Sequence, residues 1–536
     1  MKARRLRALA ATIAFAQGPR LSAQQAGGFR ESVNVRVMDI DVIVTDREGH
    51  PIPDLSRDDF RIRVDKKPVD IEYFAAVRDG AVREPDLRTL SPDLVVNPEE
   101  KGKESRVPRH FLLLVDEASL TPARRRKALE ALREFVLRME TTDEAMIVAE
   151  RSRPVSLTDW TSRREAMLDA LDRISKTAVA GLRRSERERQ AIQEIGMVFR
   201  GAREERARMY EEEVYEETKK TLRDMTSTLA LLADKPGKKI LVLVSEGFEL
   251  QPGAALLDSV LGRGASALSF RRDVAPELKR FIDRANALET TIFTVDARGL
   301  PGSAVDAGNE PSLFSTSLTA RQDLQAGLAE MAEETGGEAI LQTNDLGGAL
   351  SAIYRDASSY YSLGVNLRNV AAAAEHRVEV AVARPGLVVR ARKTYAIEND
   401  EQRFEDRVRA TLLTAASYAD LATSVKAGTA VHEGRFSVLP VEVEVPARDL
   451  TFLPDGDHVT ARPVYYFTAV SDRGEETPLS RTTQAFTMSA AEARSARPIV
   501  IRLKLKLRRG TYVLVTNVLD PETGRMGTAR ATVRVE

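Results

Sequence analysis

Between residues 33 and 73 apolar side chains recur at every second position: Val33, Val35, Val37, then Ile40, Val42, Val44, then Phe60, Ile62, Val64, and finally Val69, Ile71, Tyr73. Successive side chains of a strand point to opposite faces, so this period predicts the half-buried strands of a small N-terminal β domain over 31–79. The stretch 80–107 is rich in Pro, Asp, Glu and Arg without sustained period, and reads as a linker. At His110 the pattern changes. Residues 111–115 are a continuous apolar run closed by Asp116, and 124–139 then repeats apolar residues at Ala128, Leu132, Phe135, Val136 and Met139. A strand buried on both faces that feeds an amphipathic helix belongs to a parallel sheet covered by helices. The pairing recurs with 145–149 and 163–174, with 239–245, with 275–288 and 289–295, and with 338–341 between the helical patterns 323–335 and 346–358. The expected fold class is therefore α/β: a central doubly wound, Rossmann-like sheet domain over 108–366, flanked by all-β, sandwich-like modules.

Charge interrupts this domain over 185–224. Tyr210, Val214, Thr218, Leu222, Met225, Leu229 and Leu232 still step by three or four, which predicts a long solvated helix with one narrow packing face. A coiled-coil partner helix is the alternative. Residues 251–266 and 299–315, rich in Gly, Ala and Ser, read as loops near the strand ends. Period two returns through Val378, Val380, Val382 and Val388, Val389, Ala391 around Pro385-Gly386, a closing hairpin over 367–397. A helical linker is expected over 398–430, through Phe404, Val408 and Leu412, and a β-sandwich-like domain over 431–536. Its clearest strand carries Ile501, Leu503, Leu505 and Leu507 on one side and Arg502, Lys504 and Lys506 on the other. A polyanion stripe is conceivable there, but one solvated face of an antiparallel sheet is the commoner origin.

The first residues change the compartment. Lys2, Arg4, Arg5 and Arg7 precede the short apolar run 8–16 and small residues at 14–16 and 21–23, the pattern of a secretory signal peptide over 1–23. The run is too short to span a bilayer, so the mature chain is expected to be exported, periplasmic or extracellular, without a transmembrane segment. Eighty Lys and Arg balance eighty Asp and Glu, which disfavours generic nucleic-acid binding. The absence of cysteine excludes disulfides, Cys-ligated zinc and thiol nucleophiles, and five scattered histidines leave little for triad chemistry. There is no Gly-x-Ser-x-Gly elbow and no Gly-rich phosphate loop. No residue is assigned a catalytic role.

One constellation carries chemistry. Asp116 ends the first buried strand, Thr158 and Thr161 follow the second, and Ser245-Glu246-Gly247 closes a third, so three oxygen-bearing loops are expected at one sheet edge. Here the chain resembles a von Willebrand factor A (VWA) domain, whose metal-ion-dependent adhesion site uses Asp-x-Ser-x-Ser, a later Thr and a later Asp. Asp116 matches the first Asp, but Ala118 and Leu120 stand where the serines belong. Ser119 is off register, Thr161 matches the Thr, and Glu246 replaces the later Asp. The resemblance thus implies a degenerate site: Asp116, Thr161 and Glu246 as oxygen donors to Mg²⁺ or another divalent cation if one binds, and Asp116, Ser119, Thr161 and Glu246 as a partner-contact surface. The ordered set 42–46, 236–248, 294–299, 335–337, 360–364 and 390–395 is similar to the VWFA-related domain proteins abundant in Acidobacteria, over roughly 33–396. What this implies is an exported bacterial module of adhesion type that binds a protein and does no catalysis. An envelope-polymer hydrolase using Asp116 and Glu246 as a carboxylate pair, or a structural assembly protein, are the alternatives.

Overall fold

The computed structural model describes residues 37–83, 106–151, 153–178, 181–261, 272–300, 318–366, 375–396, 400–413, 417–434, 436–471 and 477–536. The expected signal segment 1–23, most of the linker 80–107, most of the loop 299–315 and part of the loop 251–266 lie outside them. The chain divides into two compact units, one over Val33–Asn399 and one containing Asp400–Glu536. Among the described residues no helix is long and apolar enough to cross a membrane.

The first unit begins with five strands, β1 (Val37–Thr45), β2 (Phe60–Val64), β3 (Lys67–Val69), β4 (Ile71–Arg78) and β5 (Ala81–Arg83). The α/β region follows as β6 (Arg109–Asp116), α1 (Pro122–Arg138), β7 (Asp143–Glu150), β8 (Pro154–Ser156), α2 (Arg164–Lys176), α3 (Gly181–Met197), α4 (Arg200–Thr228), β9 (Lys238–Ser245), α5 (Ala254–Leu261), α6 (Ala275–Ala287), β10 (Thr290–Asp296), α7 (Leu318–Glu334), β11 (Ala339–Ile340) and α8 (Leu346–Ser358). Four more strands complete the unit: β12 (Tyr360–Asn366), β13 (Glu375–Val382), β14 (Val388–Ala391) and β15 (Thr394–Ala396).

The central sheet has the order β11-β10-β9-β6-β7-β8. Neighbours are parallel except for β8, which runs antiparallel to β7. Counted along the chain from β6, this is the 3-2-1-4-5-6 order of a doubly wound sheet, reversing direction between β6 and β9. Every residue of β6 is buried, as a continuous apolar run requires of a strand covered on both faces. Phe111, Leu113 and Val115 pack with Leu132 and Phe135 of α1 and Ile353 of α8 on one face. On the other face Thr294 donates to the Leu328 carbonyl of α7 at 2.9 Å.

The β segments on either side of this domain form one structure. β1 pairs with β12 and β14, giving a sheet of order β14-β1-β12-β4-β5, and β2 pairs with β13 in the order β15-β13-β2-β3. Met38, Ile40, Val42, Phe60, Ile62, Leu363 and Val378 share one core. The segment read as an independent β domain over 31–79 and the hairpin read over 367–397 are thus halves of a single module. The α/β domain is inserted between them, and β12, expected within that domain, lies in the module's sheet.

Likewise the charged run 185–224 is two helices rather than one. α3 and α4 are separated at 198–199, and Ala207, Val214, Leu222 and Met225 on α4 are buried. The narrow apolar stripe packs α4 against α5 and α6.

In the second unit α9 (Asp400–Leu413) precedes β16 (Ser424–Ala427), β17 (Val431–Glu433), β18 (Phe436–Pro446), β19 (Leu453–Asp455), β20 (His458–Ala461), β21 (Val464–Ser471), β22 (Ser480–Thr483), β23 (Phe486–Met488), α10 (Ala490–Ala493), β24 (Pro498–Leu507), β25 (Gly510–Leu519) and β26 (Met526–Val535). A sheet with β16 and β17 on one side of β18 and β24 on the other faces a sheet of order β22-β21-β25-β26 across a shared apolar core. Of the stretch expected as a helical linker over 398–430, the residues described from Asp400 onward belong to this unit, and its helix packs into the core: Val408 of α9 is buried with Val464, Tyr466, Leu519 and Met526.

Candidate functional site

A doubly wound sheet opens its crevice at the carboxyl ends of the strands where the order reverses, here between β6 and β9. Asp116 closes β6 and Ser245 closes β9. Strand alternation sends both side chains, and that of Glu150 at the end of β7, to the face away from Phe111 and Leu113. The Ser245 hydroxyl donates to Asp116 Oδ2 at 2.6 Å and accepts the Gly247 N–H at 2.9 Å. Ser119 Oγ donates to the Asp116 carbonyl at 3.1 Å and accepts the Glu246 N–H at 3.1 Å. Gly247 sits at φ +82°, and a Cβ there would collide with the Leu324 carbonyl of α7, so glycine is required for this turn.

Glu246 is held from two sides. Its Oε1 accepts the Thr121 N–H at 2.7 Å, at the entry to α1, and its Oε2 meets the Arg124 guanidinium at 2.5 Å. Burial pushes the Glu246 carboxyl above the ordinary carboxylate range, and Arg124 and the Thr121 amide oppose that rise. Next to it Glu117, also buried, accepts from Arg125 at 3.1 Å and Thr177 at 3.2 Å and pairs with Arg151. At the end of β10 Asp296 binds Arg298 at 2.9 and 3.0 Å and Gln325 at 2.7 Å.

Glu150 is the exception. It is 1 % exposed, and its Oε2 has no hydrogen-bond partner. Burial first, then the charges of Asp224 on α4 and of Asp116, push its carboxyl up to about 9, with Lys220 opposing, so it is protonated at neutral pH. Nothing in the sequence reading singled out Glu150. The available signal was its position: it closes an apolar strand as Asp116 does.

The sequence-derived donors do not all converge. Asp116, Ser119 and Glu246 come together, whereas Thr161 and Thr158 do not join them. After Glu150 the chain reverses into β8 and runs back along β7, so that Thr161 pairs with Ala145 through N–H and C=O at 3.1 and 2.9 Å. Ala145 lies five residues before Glu150, which puts Thr161 ~16 Å from the strand ends at ~3.3 Å per residue. There it lines a groove of about 790 Å³ with Thr158, Trp160, Arg163, Asp169 and Arg173, of mixed charge.

A divalent cation of the resembled kind needs about six oxygen ligands. Ala118 and Leu120 supply none through their side chains, both Glu246 oxygens are engaged by Thr121 and Arg124, and Thr161 is remote. Among the described residues no group of three or more His, Asp and Glu is spaced to hold a metal ion. The residues present do not fit the ion. Acid–base work by Asp116 and Glu246 meets a related obstacle: Asp116 is 4 % exposed and hydrogen-bonded to Ser245, and Glu246 is tied to a guanidinium. The histidines lie elsewhere, His110 against Glu144 and Trp160, and His376 against Asp65.

No protein-family model matches the sequence, and no curated protein matches it. Similar solved structures include a von Willebrand factor type A protein from Catenulispora acidiphila, 9% identical, covering 81% of this chain and 67% of that one with a TM-score of 0.24. They also include three N-terminal domains of the type V pili tip protein Mfa5 from Porphyromonas gingivalis, at 10% identity, 88% and 77% coverage and TM-score 0.28. A conserved hypothetical protein BatB from Bacteroides thetaiotaomicron is 10% identical over 46% of this chain and 98% of its own, at TM-score 0.23. At these identities and TM-scores the neighbours carry no argument about activity, and the doubly wound fold rests on this chain's own strand order.

Proposed function

We propose that the protein is an exported, non-catalytic binding module whose VWA-like domain keeps the framework of a metal-dependent adhesion domain and carries a degenerate, metal-free site. The observation that supports this most is the Glu246 latch. Where the resembled site holds a cation between acidic loops, this chain has Arg124, whose guanidinium supplies the positive charge at Oε2, and the Thr121 N–H, which donates to Oε1. The cluster of Asp116, Ser119, Ser245 and Glu246 then fixes the loops that surround it, and a protein partner is engaged by those loops without a bridging ion. The basic and apolar N-terminal segment supports export.

Immobilised full chain incubated with the envelope fraction of its own source, in Mg²⁺ or in EDTA, tests the reading. The same partner should be retained in both buffers, and envelope polymers should emerge with unchanged mass. Retention lost in EDTA, or shortening of a polymer, would overturn it.

A further inference from the structure

Among the described residues of the C-terminal unit, one edge strand is bridged by neighbouring chain and another, β24, is paired on one side alone. The bridged strand is β26, met by residues 418–421: the Thr528 N–H donates to Tyr418 and the Asp420 N–H to Met526, at 2.9 and 3.1 Å. At the other edge stands β24, a strand of 10 residues paired along its whole length with β18. No described strand pairs its other edge. A long edge of this kind is a template for another extended chain.

The side chains on this edge are of one sign. Ile499, Ile501, Leu503, Leu505 and Leu507 point into the core, and Arg502, Lys504 and Lys506 point out. Arg502 is answered by Glu442 on β18 at 2.7 Å. Lys504 and Lys506 face Pro440 and Val438 across the ladder, and neither they nor Arg509 has an ion pair among the described residues. The edge therefore carries cations with no counter-charge at its free half. Two copies of β24 cannot answer them, because antiparallel pairing of the same strand sets Arg502, Lys504 and Lys506 opposite one another on one face, where like charges repel.

We propose that the free edge of β24 is a docking surface for an extended acidic segment of another protein, added as a strand. The segment alternates acidic and apolar residues: its carboxylates lie beside Lys504 and Lys506, and its apolar side chains prolong the inner face of the sheet. This surface is separate from the strand-end cluster of the first unit, so its failure would leave the reading of that cluster standing.

Fluorescence anisotropy of a labelled Glu-Val repeat peptide matched to the 10 residues of β24, titrated with the full chain at low salt, tests the proposal. Saturable binding is expected. It should weaken roughly tenfold or more in Lys504→Glu/Lys506→Glu, and also in Lys504→Gln/Lys506→Gln, which removes the charge with little change in shape. A peptide of equal charge with proline at every second apolar position should lose binding to the same degree, since proline cannot complete the ladder. Unaltered circular dichroism confirms that the variants fold. Absence of binding, indifference to both variants, or equal affinity for the proline peptide or for inorganic polyphosphate would overturn strand addition.

Discussion

Replacing Arg124 by Met keeps most of the side-chain volume and removes the charge from the Glu246 latch. Both partners are about nine-tenths buried, each 12 % exposed at the side chain, and the guanidinium stands 2.5 Å from Oε2. Opposite unit charges ~4 Å apart at an effective dielectric of about 20 attract by about 4 kcal/mol, and breaking a buried pair by removing one partner costs about 3–5 kcal/mol. A loss of about 3 kcal/mol is expected at neutral pH. Glu246 can limit the loss by taking up a proton. Its folded-state carboxyl, already raised by burial, rises further without Arg124, so stability is retained below the ordinary carboxylate range and lost as pH increases. The penalty should therefore be smaller at pH 5 than at pH 8. Urea unfolding followed through Trp160 reports on this unit alone, because the chain has 1 Trp. Glu246→Gln should cost less, and Arg124→Met/Glu246→Gln should recover about 1–3 kcal/mol relative to the sum of the single changes. Additive single effects, or an Arg124→Met loss below about 1 kcal/mol, would mark the pair as an ordinary surface contact and refute the latch.

Two further outcomes follow from the same region. Glu150, protonated with a carboxyl near 9, has its folded-state value above its unfolded one, so its stabilising contribution is full below about 4.5 and is lost as pH rises toward 9, by up to about 1.4 kcal/mol per unit. Glu150→Gln should flatten the urea midpoint between pH 6 and pH 9 and leave the variant more stable than the parent at pH 9. An unchanged pH slope would show that Glu150 is not the group responsible. Gly247→Ala must strain a φ of +82° and displace the Leu324 carbonyl, at a cost of about 3 kcal/mol measured by the same unfolding curve. A midpoint equal to that of the parent would mean the 245–247 turn is not fixed as described.

The apolar runs made the central sheet legible: 111–115 and 240–244 are continuous because β6 and β9 are buried on both faces there, and Asp116 and Glu246 stand at or just past the ends of these strands. Thr161 misled because spacing after a strand does not say whether the chain continues past the edge or folds back, and here β8 folds back. Arg124 was readable in principle. Three consecutive arginines, Arg124, Arg125 and Arg126, stand at the third to fifth positions of α1, whose first turn has no acidic residue, an arrangement the helix dipole disfavours. Such a cluster requires partners from elsewhere, and two of the three find them in Glu246 and Glu117. The pairing of β1 with β12 was hidden for another reason. Val42 meets Tyr361 across more than three hundred residues of chain, and alternation specifies which face of a strand is buried but not which strand lies beside it.

On the function proposed, the Glu246 latch compensates its charge through Arg124 and the strand ends take no divalent cation. Calorimetric titration of the full chain with Mg²⁺, Mn²⁺ and Ca²⁺, beside Asp116→Ala, decides the matter. No saturable heat is expected with any of the three ions in either protein. Saturable binding by the parent that disappears in Asp116→Ala would contradict this and restore a working metal-dependent adhesion site.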